Sequence, residues 1–209
     1  MRLIAVLSLL ASQAFAEGET AGDFDYYILS LSWSPTFCAL EGDARGEDQC
    51  DARHDYSFTL HGLWPQFESG WPSYCRTRER DPSRAQTAAM SDIMGSAGLA
   101  WHEWKKHGRC SGLSPQSYFA VARNAYEGIN MPEVFMNLQK SVKLPARVVE
   151  QAFMEANPAL TPSMITITCK TGMIQEARIC LTKDLAPRPC GPDAARDCRM
   201  PDALMHGVR

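Results

Sequence analysis

Tyr56-Ser57-Phe58-Thr59-Leu60-His61 alternates apolar and polar residues in the period of a half-buried strand, whereas His102-Glu103-Trp104-Lys105-Lys106-His107 lies in a stretch with the period of a helix. In the strand Tyr56, Phe58 and Leu60 form the core face, so His61 points away from it. Gly62-Leu63-Trp64-Pro65 is expected to end the strand and to set an indole beside that histidine. With Gly98 to His107 as a helix, His102, Lys106, Glu103 and His107 fall at about 0°, 40°, 100° and 140° on the wheel. Four ionisable groups then share one face. Trp104 and Trp101, at about 200° and 260°, are expected to turn into the core, and Gly108 stops the helix.

Outward from these segments, Tyr26 to Trp33 is an apolar run bounded by Gly22 and Pro35, and it suits a central strand. Met164 to Cys169 and Met173 to Leu181 read as a hairpin around Thr171-Gly172. Between them Ser114 caps and Pro115 opens a helix whose Tyr118, Val121, Ala122, Ala125 and Tyr126 keep one apolar face until Gly128. Leu144, Val148, Val149, Ala152 and Phe153 repeat the helical spacing. Strands at both ends with helices grouped between them predict an α+β fold: a single domain with a central antiparallel sheet flanked by helices.

A chain of 209 residues suits one domain with a substantial core, and no internal repeat or low-complexity tract divides it. The formal net charge is −3, which argues against tight nonspecific holding of long duplex nucleic acid. Basic charge is instead local. Arg76, Arg78, Arg80 and Arg84 follow Cys75, and Lys105, Lys106 and Arg109 sit at the histidine-bearing helix; the arginine cluster reads equally as a solvated loop or as a guide for a phosphate backbone. His54 and His206 lack such company and read as surface residues. Residues 1–16 pair Arg2 with the apolar Leu3 to Leu10 and finish in Ala14-Phe15-Ala16, the pattern of a secretory signal peptide; the mature domain, 17–209, is expected to be secreted or periplasmic, with no membrane insertion. The eight cysteines, Cys38, Cys50, Cys75, Cys110, Cys169, Cys180, Cys190 and Cys198, include no CxxC pair and predict four disulfides in that oxidising compartment.

Two imidazoles on separate elements, a carboxylate and an ammonium are the components of proton transfer at a phosphodiester. Phe58-Thr59-Leu60-His61-Gly62-Leu63-Trp64-Pro65 and His102-Glu103-Trp104-Lys105-Lys106-His107-Gly108 resemble the two active-site segments of the ribonuclease T2 family, the transferase-type acid endoribonucleases. Phe24-Asp25-Tyr26-Tyr27, Trp33, Cys38 and Trp71-Pro72-Ser73-Tyr74-Cys75 extend the similarity over essentially the whole mature chain. The resemblance implies the same α+β architecture and the pairings Cys38 with Cys50, Cys75 with Cys110, and Cys180 with Cys190 nested inside Cys169 with Cys198. It also implies His107 as general base, His61 as general acid, His102 as a phosphate ligand, and Glu103 and Lys106 as stabilisers of the pentacovalent state; from the residues alone, acid and base are interchangeable.

The implied substrate is single-stranded RNA, cut without metal or cofactor to 2′,3′-cyclic phosphate ends and then to 3′-phosphates. DNA lacks the nucleophile. Trp64, Gln66, Trp71 and Tyr74 are the candidate substrate-binding residues, the aromatic ones by stacking on bases. The chain departs from many relatives at Gln66, where they carry Asp or Asn, and at Leu99, where they carry an aromatic, and low base specificity is expected. A monomer is the expected state.

Two other functions compete. A zincin-type metal site needs two histidines four apart, and the interval of five here rotates the imidazoles by about 140°, with Lys106 between them to repel an ion. A catalytically silent RNA- or protein-binding member of the same fold is the other alternative, and the simultaneous presence of His61, Glu103, Lys106 and His107 argues against it.

Overall fold

A computed structural model describes residues 19–209; the expected signal peptide, 1–16, lies outside the described residues. Strands β1 (Tyr26–Trp33), β2 (Phe58–Gln66), β3 (Val142–Leu144), β4 (Ile165–Lys170), β5 (Met173–Leu181) and β6 (Ala203–Met205) form one sheet in the order β2-β1-β5-β6-β3, with β4 on β5. All pairings are antiparallel except the single β5–β6 contact at Met173 and Leu204. The longer helices are α1 (Ala97–Lys106), α2 (Pro115–Glu127) and α3 (Ala146–Ala156). The α+β class and the grouping of these helices between the early and late strands follow the sequence pattern, and the main core lies on one face of the sheet. There Leu29, Leu31 and Trp33 of β1 meet Trp104 of α1, Tyr118 and Phe119 of α2 and Phe153 of α3.

Several boundaries differ from expectation, each for a local reason. Strand β2 begins at Phe58 and continues through Gly62, Trp64 and Pro65 to Gln66 instead of ending after His61. Proline is tolerated because β2 is an edge strand, where a missing amide hydrogen costs no ladder bond. Two of its outer carbonyls are covered by α2: the Tyr118 hydroxyl donates to Leu63 O at 2.9 Å and the Tyr126 hydroxyl to Phe58 O at 3.0 Å. Leu144 lies in β3, not in the following helix, since a residue before proline disfavours helical backbone and Pro145 stands between. Of the two indoles expected in the core, Trp104 is fully buried but Trp101 is exposed. His206 is half-buried, with its backbone carbonyl accepting from the Trp33 indole.

The β4–β5 turn is the expected one, with Thr171 and Gly172 both at positive φ, 52° and 82°. Ser114 caps α2 by accepting from the Ser117 amide, and Ser96 caps α1 by accepting from the Gly98 and Leu99 amides. All four disulfides form as the family implies: Cys38–Cys50, Cys75–Cys110, Cys169–Cys198 and Cys180–Cys190. Cys75–Cys110 pins the loop after Tyr74 to the turn that follows α1, and the Tyr74 amide donates to Lys106 O at 2.8 Å in the same place. No helix among the described residues is long and apolar enough to cross a membrane.

The 35-residue separation of Cys75 and Cys110 sets the scale of that crosslink. Replacing both by alanine should lower stability by about 3 to 4 kcal/mol through the freed unfolded chain. A urea midpoint that moves by less than the equivalent of about 1 kcal/mol would show that packing alone holds this corner.

Candidate active site

The face of the sheet opposite the main core carries the site. On β1 and β2, Ser30 pairs with Gly62 and Leu31 with Leu60, which leaves His61 without a partner as the extra residue of a β-bulge. The bulge turns His61 and Gly62 together toward α1. Gly62 leaves the room for this packing: a Cβ at this position would lie 2.0 Å from Glu103 Oε2 and 2.5 Å from Trp64 Nε1. Into the space left by the missing side chain comes the Glu103 carboxylate, buried, accepting from the Trp64 indole at 2.6 Å and lying 3.7 Å from His61 Nε2.

The helix wheel places the four groups correctly but not their exposure. His102 is exposed and Lys106 half-buried, while Glu103 and His107 are buried because β2 covers that side of α1. His107 is the residue after the helix, still tied to it by its amide donating to Glu103 O at 2.9 Å. Its ring stacks on Trp64 at 5.2 Å, and its Nδ1 is buried without a hydrogen-bond partner.

His61 has the opposite surroundings. Its Nδ1 lies 2.5 Å from Glu176 Oε1, and Glu176 Oε2 accepts from Arg178 Nε at 2.8 Å and Nη2 at 2.6 Å. Burial works against a charged His61, but the Glu176 hydrogen bond and the charges of Glu176 and Glu103 outweigh burial and the opposing Arg178, so its pKa is raised. Burial likewise opposes ionisation of Glu176, yet His61 and Arg178 hold its carboxyl at about 2. For His107, burial is joined by Lys106, His61 and His102, which push it down to about 3. Burial also lowers His102, beside Lys106, and raises Glu103 despite His61 and the Trp64 indole. Two histidines facing one site are thus driven apart in basicity.

His61, Trp64, Gln66, Trp71, His102, Glu103, Lys106 and His107 line one cavity of about 310 Å³. Tyr74 is outside its lining and is 56% exposed, and Arg109 is drawn away from the site by an ion pair with Asp81. A second cavity, of about 550 Å³, adjoins at His61, His102, Gln175 and Glu176 and includes Leu99, Gln49 and the buried, unpartnered Thr36 hydroxyl. Among the described residues, the cluster with metal-ligand types closest together is Cys38, Asp43 and Cys50, whose sulfurs are committed to a disulfide.

Residues 24–190 match the model of the Ribonuclease T2 family. The chain belongs to that family. It is 45% identical over 127 residues to a ribonuclease of Aeromonas hydrophila, a stretch covering 58% of this chain and 55% of that one, so the chain spans about half the length of that relative. It is 26% identical over 230 residues to ribonuclease I of Escherichia coli, covering 89% and 86%. Its fold matches that of trichomaglin, described as an S-like ribonuclease, with a TM-score of 0.68 at 21% identity over 89% of this chain and 98% of that one.

Within this T2 chain, Glu176 and Arg178 are the site residues that the sequence reading missed. The signal was present: two opposite charges two apart within the mostly apolar strand Met173–Leu181 must share one sheet face. A strand flanked on both sides, as β5 is by β1 and β4, seldom carries such a pair without a specific partner.

Gly62→Ala should break the Trp64–Glu103 hydrogen bond while the fold persists at a cost of about 1 to 3 kcal/mol. The check is the indole proton resonance that disappears in Trp64→Phe. It should move upfield in Gly62→Ala, and an unmoved resonance would contradict the close approach.

Proposed function

We propose that this protein is an endoribonuclease that cleaves single-stranded RNA by metal-independent transesterification, leaving 2′,3′-cyclic phosphates that the same site opens more slowly to 3′-phosphates. The observation that carries this reading is the opposed setting of the two histidines: His61 on a buried carboxylate, and His107 on an indole beside Lys106 with no acidic partner. That contrast supports His107 as the base and His61 as the acid, roles left interchangeable by the sequence. Neutral His107 takes the 2′-hydroxyl proton, the 2′-oxygen attacks phosphorus, and cationic His61 gives its proton to the departing 5′-oxygen. Lys106 supplies positive charge to the phosphorane, His102 binds the phosphate through its ring N–H, and Glu103, whose carboxyl is raised by burial, is placed to hydrogen-bond to it.

Trp64 is engaged by His107 and by the Arg178 guanidinium, 5.1 Å from its ring centre, so it shapes the pocket wall. Trp71, which is 55% exposed, is the freer stacking surface, with Tyr74 further out. Gln66 is buried, and its amide donates to Pro65 O, its own neighbour. Without a charged base-reading group there, low base specificity follows. The two adjoining cavities accept the nucleotides on either side of the cut, which requires unpaired bases. The enzyme acts as an exported monomer, secreted or periplasmic, after removal of residues 1–16.

The test is cleavage of a defined single-stranded RNA in excess EDTA, with product ends identified by mass. Cyclic phosphate ends are expected, with His61→Ala and His107→Ala each lowering kcat by about 10² to 10⁴-fold. Products formed only with added divalent ion would refute the mechanism.

The pH dependence of kcat/KM has a definite sign. Activity needs neutral His107 and so is lost as pH falls through about 3, and it needs protonated His61 and so is lost as pH rises through a value above the ordinary histidine range. A profile whose alkaline limb lies below that of a free imidazole would contradict these assignments.

A further inference from the structure

We propose that Glu176, anchored by Arg178, is a positioning residue for His61, fixing its imidazole as the Nδ1–H tautomer with Nε2 turned into the cavity. This rests on His61 acting as the general acid. The geometry is that of a two-sided clamp. One carboxylate oxygen faces His61 Nδ1 at 2.5 Å, and the other takes both guanidinium donors of Arg178, at 2.8 and 2.6 Å. An ionised carboxylate only accepts, so the imidazole nitrogen facing it must carry a proton.

Strand pairing fixes the clamp in place. Glu176 stands opposite Ser32 and Arg178 opposite Ser30 on β1, the strand that also pairs with the bulge bearing His61. A buried carboxylate with a half-buried arginine is a poor way to stabilise a sheet, since removing the carboxylate from water costs several kcal/mol and apolar residues of like size serve as well. Its place on the site face, with Glu176 lining both cavities, points to function.

During cleavage the Nε2 proton passes to the 5′-oxygen as the phosphorus–oxygen bond breaks, while the 2′-oxygen forms its bond to phosphorus and gives its proton to His107. Glu176 gains no proton. It keeps Nδ1–H in place while the ring becomes neutral, so that only Nε2 exchanges protons with the substrate.

The groups around His61 define the expected shifts. Glu176 and Glu103 favour the cation, Glu41 lies within range of its charge, and Arg178, His102 and His107 oppose it, with Lys106 beside the latter two. Removing Glu176 should therefore lower the pH at which His61 titrates, and removing Arg178 should raise it.

The experiment is an NMR titration of the His61 ring in the oxidised protein and in Glu176→Gln and Arg178→Gln, with kcat and KM measured across pH on a short single-stranded RNA. In Glu176→Gln, His61 should titrate at lower pH and lose its Nδ1–H preference, and kcat at neutral pH should fall about 10- to 100-fold with KM within about threefold. The deficit should shrink toward acid pH. In Arg178→Gln the alkaline limb and the His61 titration should both move to higher pH. A residue that only stabilised the sheet would lower the melting temperature without these opposite shifts. Should Glu176→Gln fail to fold, Arg178→Gln decides alone, and no upward shift there overturns the proposal. A wild-type protein that leaves RNA intact refutes the cleavage reading, and the ring titrations still decide the clamp.

Discussion

The close approach of α1 to β2 at Gly62 is the constraint on which the site depends. A side chain at position 62 would occupy the place of the Glu103 carboxylate, so the absence of one atom decides whether that carboxylate can lie against the strand and reach the Trp64 indole. The bulge works with it. An unbroken strand would alternate strictly, and the extra residue at His61 lets the imidazole and the bare glycine face α1 together while Leu60 and Leu63 stay in the core. Trp104 holds the helix from behind, fully buried against Tyr118, with its indole donating to Asp81.

Once helix and strand meet, two carboxylates are buried and their charges must be satisfied. Glu176 is satisfied by three donors and stays ionised; Glu103 has the Trp64 indole and a more distant His61, and its carboxyl is raised. The two acids therefore flank His61 with unequal strength, and the positive groups of α1 gather on the side of His107. At contact distances a unit charge in a partly buried site is worth on the order of 4 kcal/mol, enough to separate two imidazoles that are alike in water. On the proposed mechanism this separation assigns the acid and the base.

Most of the fold was legible because local rules and tertiary packing agree. The strand Tyr26–Trp33, the hairpin at Thr171-Gly172, the cap at Ser114 and the disulfide pairs implied by family likeness all appear where expected. What was illegible belongs to tertiary neighbours. Periodicity put Glu103 and His107 on a polar face, and only the position of β2 shows that this face is covered. Trp101 reads as core by its angle on the wheel, yet nothing packs over that side of the helix fully enough to bury it. The continuation of β2 through Pro65 depends on its being an edge strand, a property of sheet order that no local pattern carries. Glu176 was hidden for the converse reason: its strand was recognised, but its partner lies 115 residues away in sequence.

A mildly acidic chain is consistent with the proposed action on RNA, because the proposed recognition is by shape and local charge. Two cavities meet at His61 and His102, and a strand crossing that junction must splay its bases to either side. A duplex cannot do so without unpairing. The positive charge that the proposed reaction needs at the phosphate is then small in number and fixed in place, Lys106 at the end of one helix with His102 a turn before it as a phosphate ligand, and it needs no broad basic surface that would hold long nucleic acids after cleavage. Buried carboxylates immediately beneath that point do not cancel it, since Glu176 is already bound to Arg178 and His61. On this proposal binding and chemistry draw on the same few charges, and net charge says little about either.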